Sequence, residues 1–316
     1  MRFWRGMMLI TGASGFIGDA FLKNVVKNNW RIRVLTRNPG NWAPSNGIEV
    51  VKGDLANTVD WTDAVQGVDV VVHSAAEIKD ARLMQSVNFQ GPARLLRDAV
   101  NAGVRRWVQL SSVGNYGSVR SGLVKEDWPD NPSVGYEASK TDFDRLLKEA
   151  SHTHGIEVCI VRPSNVYGPG MRNHSILQML RAIQRNFFTF IGPEGSSANY
   201  VHIEDVVQAL NLCVSHPKAA NQTYIVSAWA TMEDMVSGLA VGAGVKVPVR
   251  RIPLRLATWL AKAMSCWPSW PLTLRRVQAM SLRSLYSTEK IEEELGWKST
   301  IPVKEGMYEY AKGLRE

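Results

Sequence analysis

Between residue 7 and about residue 162, short apolar runs alternate with longer stretches whose apolar positions recur every three or four residues. The short runs, at 7–11, 31–36, 48–51, 68–73, 105–111 and 156–162, are rich in Val, Ile and Leu and predict strands. The stretches at 15–29, 58–66, 82–102 and 137–153 are amphipathic and predict the helices between them. A parallel neighbour strand is reached only by a crossover, so this alternation predicts an α/β fold: a doubly wound parallel sheet with helices on both faces. After residue 163 the pattern loosens into loops rich in Gly and Pro, helices near 174–186 and 203–214, and a mostly helical tail. We read residues 1–165 as one domain, with segments near 199–230 returning to it. Residues 166–316 form a smaller, mostly helical C-terminal lobe over the carboxyl ends of the strands, where such sheets take their ligands.

Composition narrows the class. With 316 residues, 45% of them hydrophobic, the chain can bury a large core, which excludes fibrous, mostly disordered and small disulfide-stapled proteins. The formal charge of +8 is concentrated. Residues 250–288 carry Arg250, Arg251, Arg255, Lys262, Arg275, Arg276 and Arg283 with no Asp or Glu, so the rest of the chain is nearly neutral and no nucleic-acid partner is expected. Cys159, Cys213 and Cys266 show no CxxC spacing, which fits reduced thiols and a cytoplasmic protein without a metal site. The start, MRFWRGMMLITG, has an apolar run too short for a signal core, and no stretch reaches the roughly 18 apolar residues of a spanning helix.

The first strand runs straight into Thr11-Gly12-Ala13-Ser14-Gly15-Phe16-Ile17-Gly18, which opens the first helix. Glycines at 12, 15 and 18 allow a tight turn and close backbone approach to a pyrophosphate, whose charge a helix N-terminus favours. In this context the turn predicts a dinucleotide site and a Rossmann-type sheet. The second strand ends Val34-Leu35-Thr36-Arg37, with no acid to hold an unphosphorylated ribose. Arg37, with Arg33 as a second candidate, can pair with a 2′-phosphate, so NADP(H) is favoured and NAD(H) stays open.

These segments, and others in order along nearly the whole chain, resemble the extended short-chain dehydrogenase/reductases, specifically the NAD-dependent epimerase/dehydratase family. TGASGFIG at 11–18 is similar to that family's glycine signature, Gly53-Asp54-Leu55 to its adenine contact, and His73-Ser74-Ala75-Ala76 to its fourth-strand motif. Asn88, Leu110-Ser111-Ser112, Tyr116-Gly117 and Tyr136-Glu137-Ala138-Ser139-Lys140 follow. The runs from Arg162-Pro163 to Pro169-Gly170, from Val201 to Val206, and Glu294-Leu295-Gly296-Trp297 resemble its later segments. The resemblance implies an NAD(P)-binding domain whose cofactor contacts are Gly12, Ser14, Gly15, Phe16, Ile17, Gly18, Arg37, Asp54, Leu55, Ser74, Ala75, Ala76, Asn88, Tyr136, Lys140 and Pro163.

The chemistry is also legible in the residues. Tyr136 and Lys140 are four apart and share a helix face, where an ammonium is expected to lower the phenol's pKa and make it a usable acid or base. Ser112, at a strand end, can hydrogen-bond the substrate oxygen; Ser111 is its neighbour and competitor, and spacing back from Tyr116-Gly117 favours Ser112. The catalytic set is therefore Ser112, Tyr136 and Lys140. Ser112, Tyr136 and Asn165 are the substrate contacts, Asn165 falling where nucleotide-sugar members of the family carry an Asn. Val113 and Gly114 follow Ser112 where the family's dehydratases place an acidic pair, so redox chemistry alone is favoured over dehydration.

The first substrate reading is a nucleotide sugar, handled by a 4-ketoreductase or epimerase. The alternative is a reductase or dehydrogenase of a hydrophobic alcohol, hydroxysteroid- or dihydroflavonol-like, suggested by the apolar, Trp-bearing stretch 252–270. A non-catalytic NAD(P)-binding relative is the third reading, opposed by the intact Ser112, Tyr136 and Lys140. Stretch 252–270 is expected to be core or a subunit contact, with contact to a membrane surface as the other use of its Trp and basic residues. Pairing through the helices at 82–102 and 137–153, as in relatives, predicts a homodimer.

Overall fold

The computed structural model describes residues 6–28, 30–41, 47–171, 175–264 and 272–315. Seven strands form the central sheet: β1 (Met7–Thr11), β2 (Arg31–Thr36), β3 (Ile48–Lys52), β4 (Val70–His73), β5 (Arg106–Leu110), β6 (Glu157–Pro163) and β7 (Gln222–Val226). Their order is β7-β6-β5-β4-β1-β2-β3 and every pairing is parallel. The chain leaves β1 in one direction to build β2 and β3 and returns to its other side to build β4 to β7, so a crevice opens at the carboxyl ends of β1 and β4.

All five residues of β1 are buried, because both faces of the sheet are covered. Met8 and Ile10 join one core with Phe21, Leu22 and Val25 of helix α1 (Phe16–Val25). Met7 and Leu9 join the opposite core with Leu95 and Leu96 of α2 (Gly91–Asn101) and Phe143 and Leu147 of α3 (Tyr136–His154). Helix α4 (Ile203–Ser215) adds Val206, Ala209 and Leu210 to the α1 side.

Two predicted helices differ from the structure. The stretch 58–66 is helical only over Thr62–Val65. The stretch 82–102 is broken into Ala81–Gln85, a π-helical turn at Ser86–Gln90, and α2. The π turn is tied inward by Asn88, whose buried amide bonds the backbone N–H and C=O of Glu77.

Beyond β6, the strands Asn165–Tyr167, Ser197–His202 and Ala228–Thr231 form a second, three-stranded sheet. It shares a core with the helices Met232–Gly242 and Val303–Lys312. Cys159 and Cys213 are buried free thiols, while Cys266, Trp267 and Trp270 lie outside the described residues. Among the described residues no helix is long and apolar enough to cross a membrane.

Candidate active site

The glycine turn is built by contact with β4. A Cβ on Gly12, whose φ is +73°, would lie 2.5 Å from the backbone N of Ala75, and one on Gly18 would lie 2.2 Å from the Gly12 carbonyl and 2.7 Å from Ser74 Oγ. Ser74 Oγ in turn donates to the Thr11 carbonyl at 2.7 Å. Only glycine lets α1 sit this close to the ends of β1 and β4. No side chain caps the N-terminus of α1, a feature it shares with other helices such as α2 and α3, but at α1 it coincides with the glycine turn. A bare cradle of this kind fits a pyrophosphate.

At the adenosine end, Arg37 is exposed and makes no ion pair or hydrogen bond among the described residues. Arg33 is not available to a ligand. It pairs with Glu49 at 2.7 Å and donates to the carbonyls of Asp63, Ala64 and Gln66, fastening β2 to β3 and the neighbouring turn. The Asp54 carboxylate closes its own turn by accepting from the N–H of Ala56 and the amide of Asn57, and Leu55 is buried behind it. Asn88 also donates to Ser139 Oγ at 3.1 Å. Its side chain thus ties the segment after β4 to helix α3.

Ile17, Ser74, Ala76, Ser112, Tyr136, Lys140 and Pro163 line one cavity of about 160 Å³ at the crevice. Five elements converge here: the start of α1, the ends of β4, β5 and β6, and the first two turns of α3. Leu110, Ser111, Ser164 and Val166 complete the lining. A larger open groove of about 910 Å³ between α1 and α4 touches the turn at Ser14, Gly15 and Phe16 but contains none of Ser112, Tyr136 and Lys140. Asn165 stands one residue before Val166, exposed at the start of its strand, with its amide donating to the Asn199 carbonyl at 3.2 Å.

The two serines have different surroundings. Ser111 is buried, donates to Asp144 at 2.7 Å and accepts from the Asn115 amide at 3.2 Å. Ser112 Oγ accepts from the Gly114 N–H at 3.0 Å, which leaves its hydroxyl proton for a ligand.

Lys140 does not lower the Tyr136 phenol as the spacing suggests. Burial pushes that phenol up to about 12, and the charges of Asp144 and Glu137 push the same way. Burial also pulls the Lys140 ammonium down to about 8, against the opposing pull of Asp144. Lys140 is buried and Tyr136 half-buried, and for both desolvation is the largest cause of the shift. His73, at the end of β4, is held near neutrality in the same way: burial and the Lys140 charge pull it well below its usual range. Its Nδ1 lies 2.8 Å from Thr11 Oγ1, which links β4 to β1.

The model of the NAD dependent epimerase/dehydratase family matches residues 8–227. The chain belongs to this family. It is therefore an enzyme of the extended short-chain dehydrogenase/reductase class, whose relatives depend on NAD. Among proteins it resembles, UDP-glucose 4-epimerase of Vibrio cholerae is 26% identical over 97% of this chain and 95% of its own length. A 3beta-hydroxysteroid-dehydrogenase/decarboxylase of Arabidopsis thaliana is 25% identical over 95% of this chain and 77% of its own. The crystal structure of DesIV, a dTDP-glucose 4,6-dehydratase of Streptomyces venezuelae with NAD and TYD bound, superposes with a TM-score of 0.75 at 25% identity, covering 98% of this chain and 97% of that one.

Behind the cavity of this family member lies a buried polar group that the sequence reading missed. Asp144, one turn beyond Lys140 on α3, accepts from Ser111, from the Asn115 amide at 2.8 Å and from Arg162 at 3.2 Å. Arg162 also pairs with Asp130 at 2.9 Å and lies over the Tyr116 ring at 4.7 Å. The spacing of 136, 140 and 144 on one helix face was the available signal; the partners, Ser111 and Asn115 just after β5 and Arg162 on β6, are far away in sequence and gave none.

Proposed function

We propose that this enzyme carries out hydride and proton transfer at a secondary alcohol or ketone of a nucleotide sugar, as a 4-ketoreductase or epimerase. The observation that carries the reading is the convergence of Ser112, Tyr136 and Lys140 on one cavity beside the uncapped start of α1. The bound nicotinamide supplies or takes up the hydride. Ser112 hydrogen-bonds the substrate oxygen through its O–H and keeps its proton while holding the oxygen in place. Tyr136 moves a proton to or from that oxygen, and Lys140, in the same cavity, holds the nicotinamide ribose. The phenol is protonated at neutral pH, the state that ketone reduction starts from, and burial makes that proton harder to release. Asn165, anchored through its Nδ2, leaves Oδ1 to accept from the ligand. Relatives whose names specify UDP-glucose and dTDP-glucose support the substrate class.

Thermal melting with UDP-, GDP- and dTDP-sugars beside steroids and flavonoids, each with NAD(H) or NADP(H), tests the reading. A nucleotide sugar should raise the melting temperature, since a ligand of the folded state stabilises it. Tyr136→Phe should keep that shift and lose about a hundredfold or more of turnover. Consumption of reductant marks a ketoreductase, and turnover without it an epimerase. Melting shifts and turnover with a steroid-like alcohol alone would overturn the assignment.

Arg37 carries the cofactor choice. Exposed, unpaired and at the end of a strand that ends without an acid, it selects the 2′-phosphate of NADP(H). Titration should show tighter binding of NADP(H) than NAD(H), with the difference narrowed in Arg37→Ala. Equal affinity in the wild type would remove the role.

A further inference from the structure

Helix Leu254–Ala263 is amphipathic in an unusual sense: its small apolar residues face inward and its large ones face out. Ala257 is 0% exposed, packing with Ala261, Ile191 and Val277 in a small satellite core. Trp259 is 63% exposed and Leu256 44%, one helical turn apart. Arg255 and Lys262 flank Trp259 on the exposed side and make no ion pair among the described residues. Just before this helix, Val249 is 86% exposed.

The fold brings a second segment beside Arg250. Phe190 donates its backbone N–H to the Arg250 carbonyl at 2.9 Å, and the Arg250 guanidinium donates to the Asn186 carbonyl at 3.1 Å. Phe187, which follows Asn186, is 78% exposed. Exposed Trp259 and Leu256 thus lie beside Arg255 and Lys262 on one helix, in a stretch without an acid from 250 to 288, while Glu194 and Glu233 meet this region at Arg251, at 3.9 and 2.7 Å.

We propose that this face rests on an anionic lipid bilayer. Trp and Leu between basic residues suit the headgroup boundary, where the rings and aliphatic chains enter the acyl edge and the cations meet lipid phosphates. Charge selects this occupant over a second copy of the chain. A two-fold contact centred here would set Arg255 and Lys262 against their own copies.

Co-sedimentation of the whole protein with vesicles tests the proposal, comparing phosphatidylcholine alone with the same lipid containing about 30 mol% phosphatidylglycerol. Binding to the anionic vesicles should be at least about tenfold stronger and should weaken with salt, at about fivefold per cation engaged. Trp259→Ser combined with Leu256→Ser should lower it about tenfold. Arg255→Glu combined with Lys262→Glu should abolish it. Both variants change only exposed side chains, so their melting temperatures and NAD(H) affinity should match the wild type. Wild-type protein remaining in the supernatant with both vesicle types would overturn the proposal, as would equal binding to neutral vesicles or by the charge-reversed variant. Light scattering that shows an oligomer dissociated by the Trp259 and Leu256 changes, with no vesicle binding, would assign the face to a second copy.

Discussion

Ser111 and Ser112 are adjacent in the chain, yet their hydroxyls have opposite uses: one belongs to the Asp144 group, the other opens on the cavity. The same carboxylate acts on Lys140 one turn away, which gives a pH prediction. With Lys140 drawn down to about 8, its charge is complete below that pH and lost above it. Tyr136, pushed up to about 12, stays protonated throughout this range. The kcat/KM for ketone reduction should therefore fall on an alkaline limb near pH 8. Asp144→Asn removes the charge that holds the ammonium, so it should move the limb to lower pH. A flat profile to pH 10 in the wild type would show that the charge of Lys140 does not govern the rate.

Helix α1 does two jobs through its first turn: its N-terminus faces the ligand and Gly18 lets it touch β4. Gly18→Ala would drive a methyl group into the Gly12 carbonyl and Ser74 Oγ, so the helix must back away from the sheet. Cofactor affinity should drop about tenfold or more, together with a lower melting temperature, as read by titration and calorimetry. Unchanged binding would mean the turn is not the cradle. At this scale β1 and β4 were legible because they are buried on both faces and read as apolar runs, whereas β3, only partly buried at the sheet edge, was legible through its Ile and Val, and β7 lies outside the predicted strands. The π turn at Ser86–Gln90 was not legible. Its cause is Asn88 bonding to Glu77 and Ser139, and no periodicity along the helix encodes those partners.

For the whole molecule we propose a homodimer that pairs through α2 and α3. The outward side of these helices carries Arg97, Asp142, Arg145, Lys148 and Glu149, all exposed. An interface of such mixed charge is held by ion pairs as much as by burial, so it should loosen with salt. Light scattering at micromolar concentration should give twice the 35.2 kDa protomer mass at low ionic strength, and a lower mass near 1 M salt. A monomer under both conditions would count against the pairing.

The sequence by itself determined the alternation of strand and helix, the glycine turn and the positions of Ser112, Tyr136 and Lys140, because each depends on neighbours within one strand or one helical turn. Tertiary structure decided what distant partners and burial control. It joined Ser111, Asn115 and Arg162 to Asp144, occupied Arg33 with Glu49, and raised Tyr136 where spacing alone had Lys140 lowering it. It also turned Trp259 outward while burying Ala257 and Ala261. Desolvation and long-range pairing depend on the whole packed chain, and a local pattern of residues does not contain them.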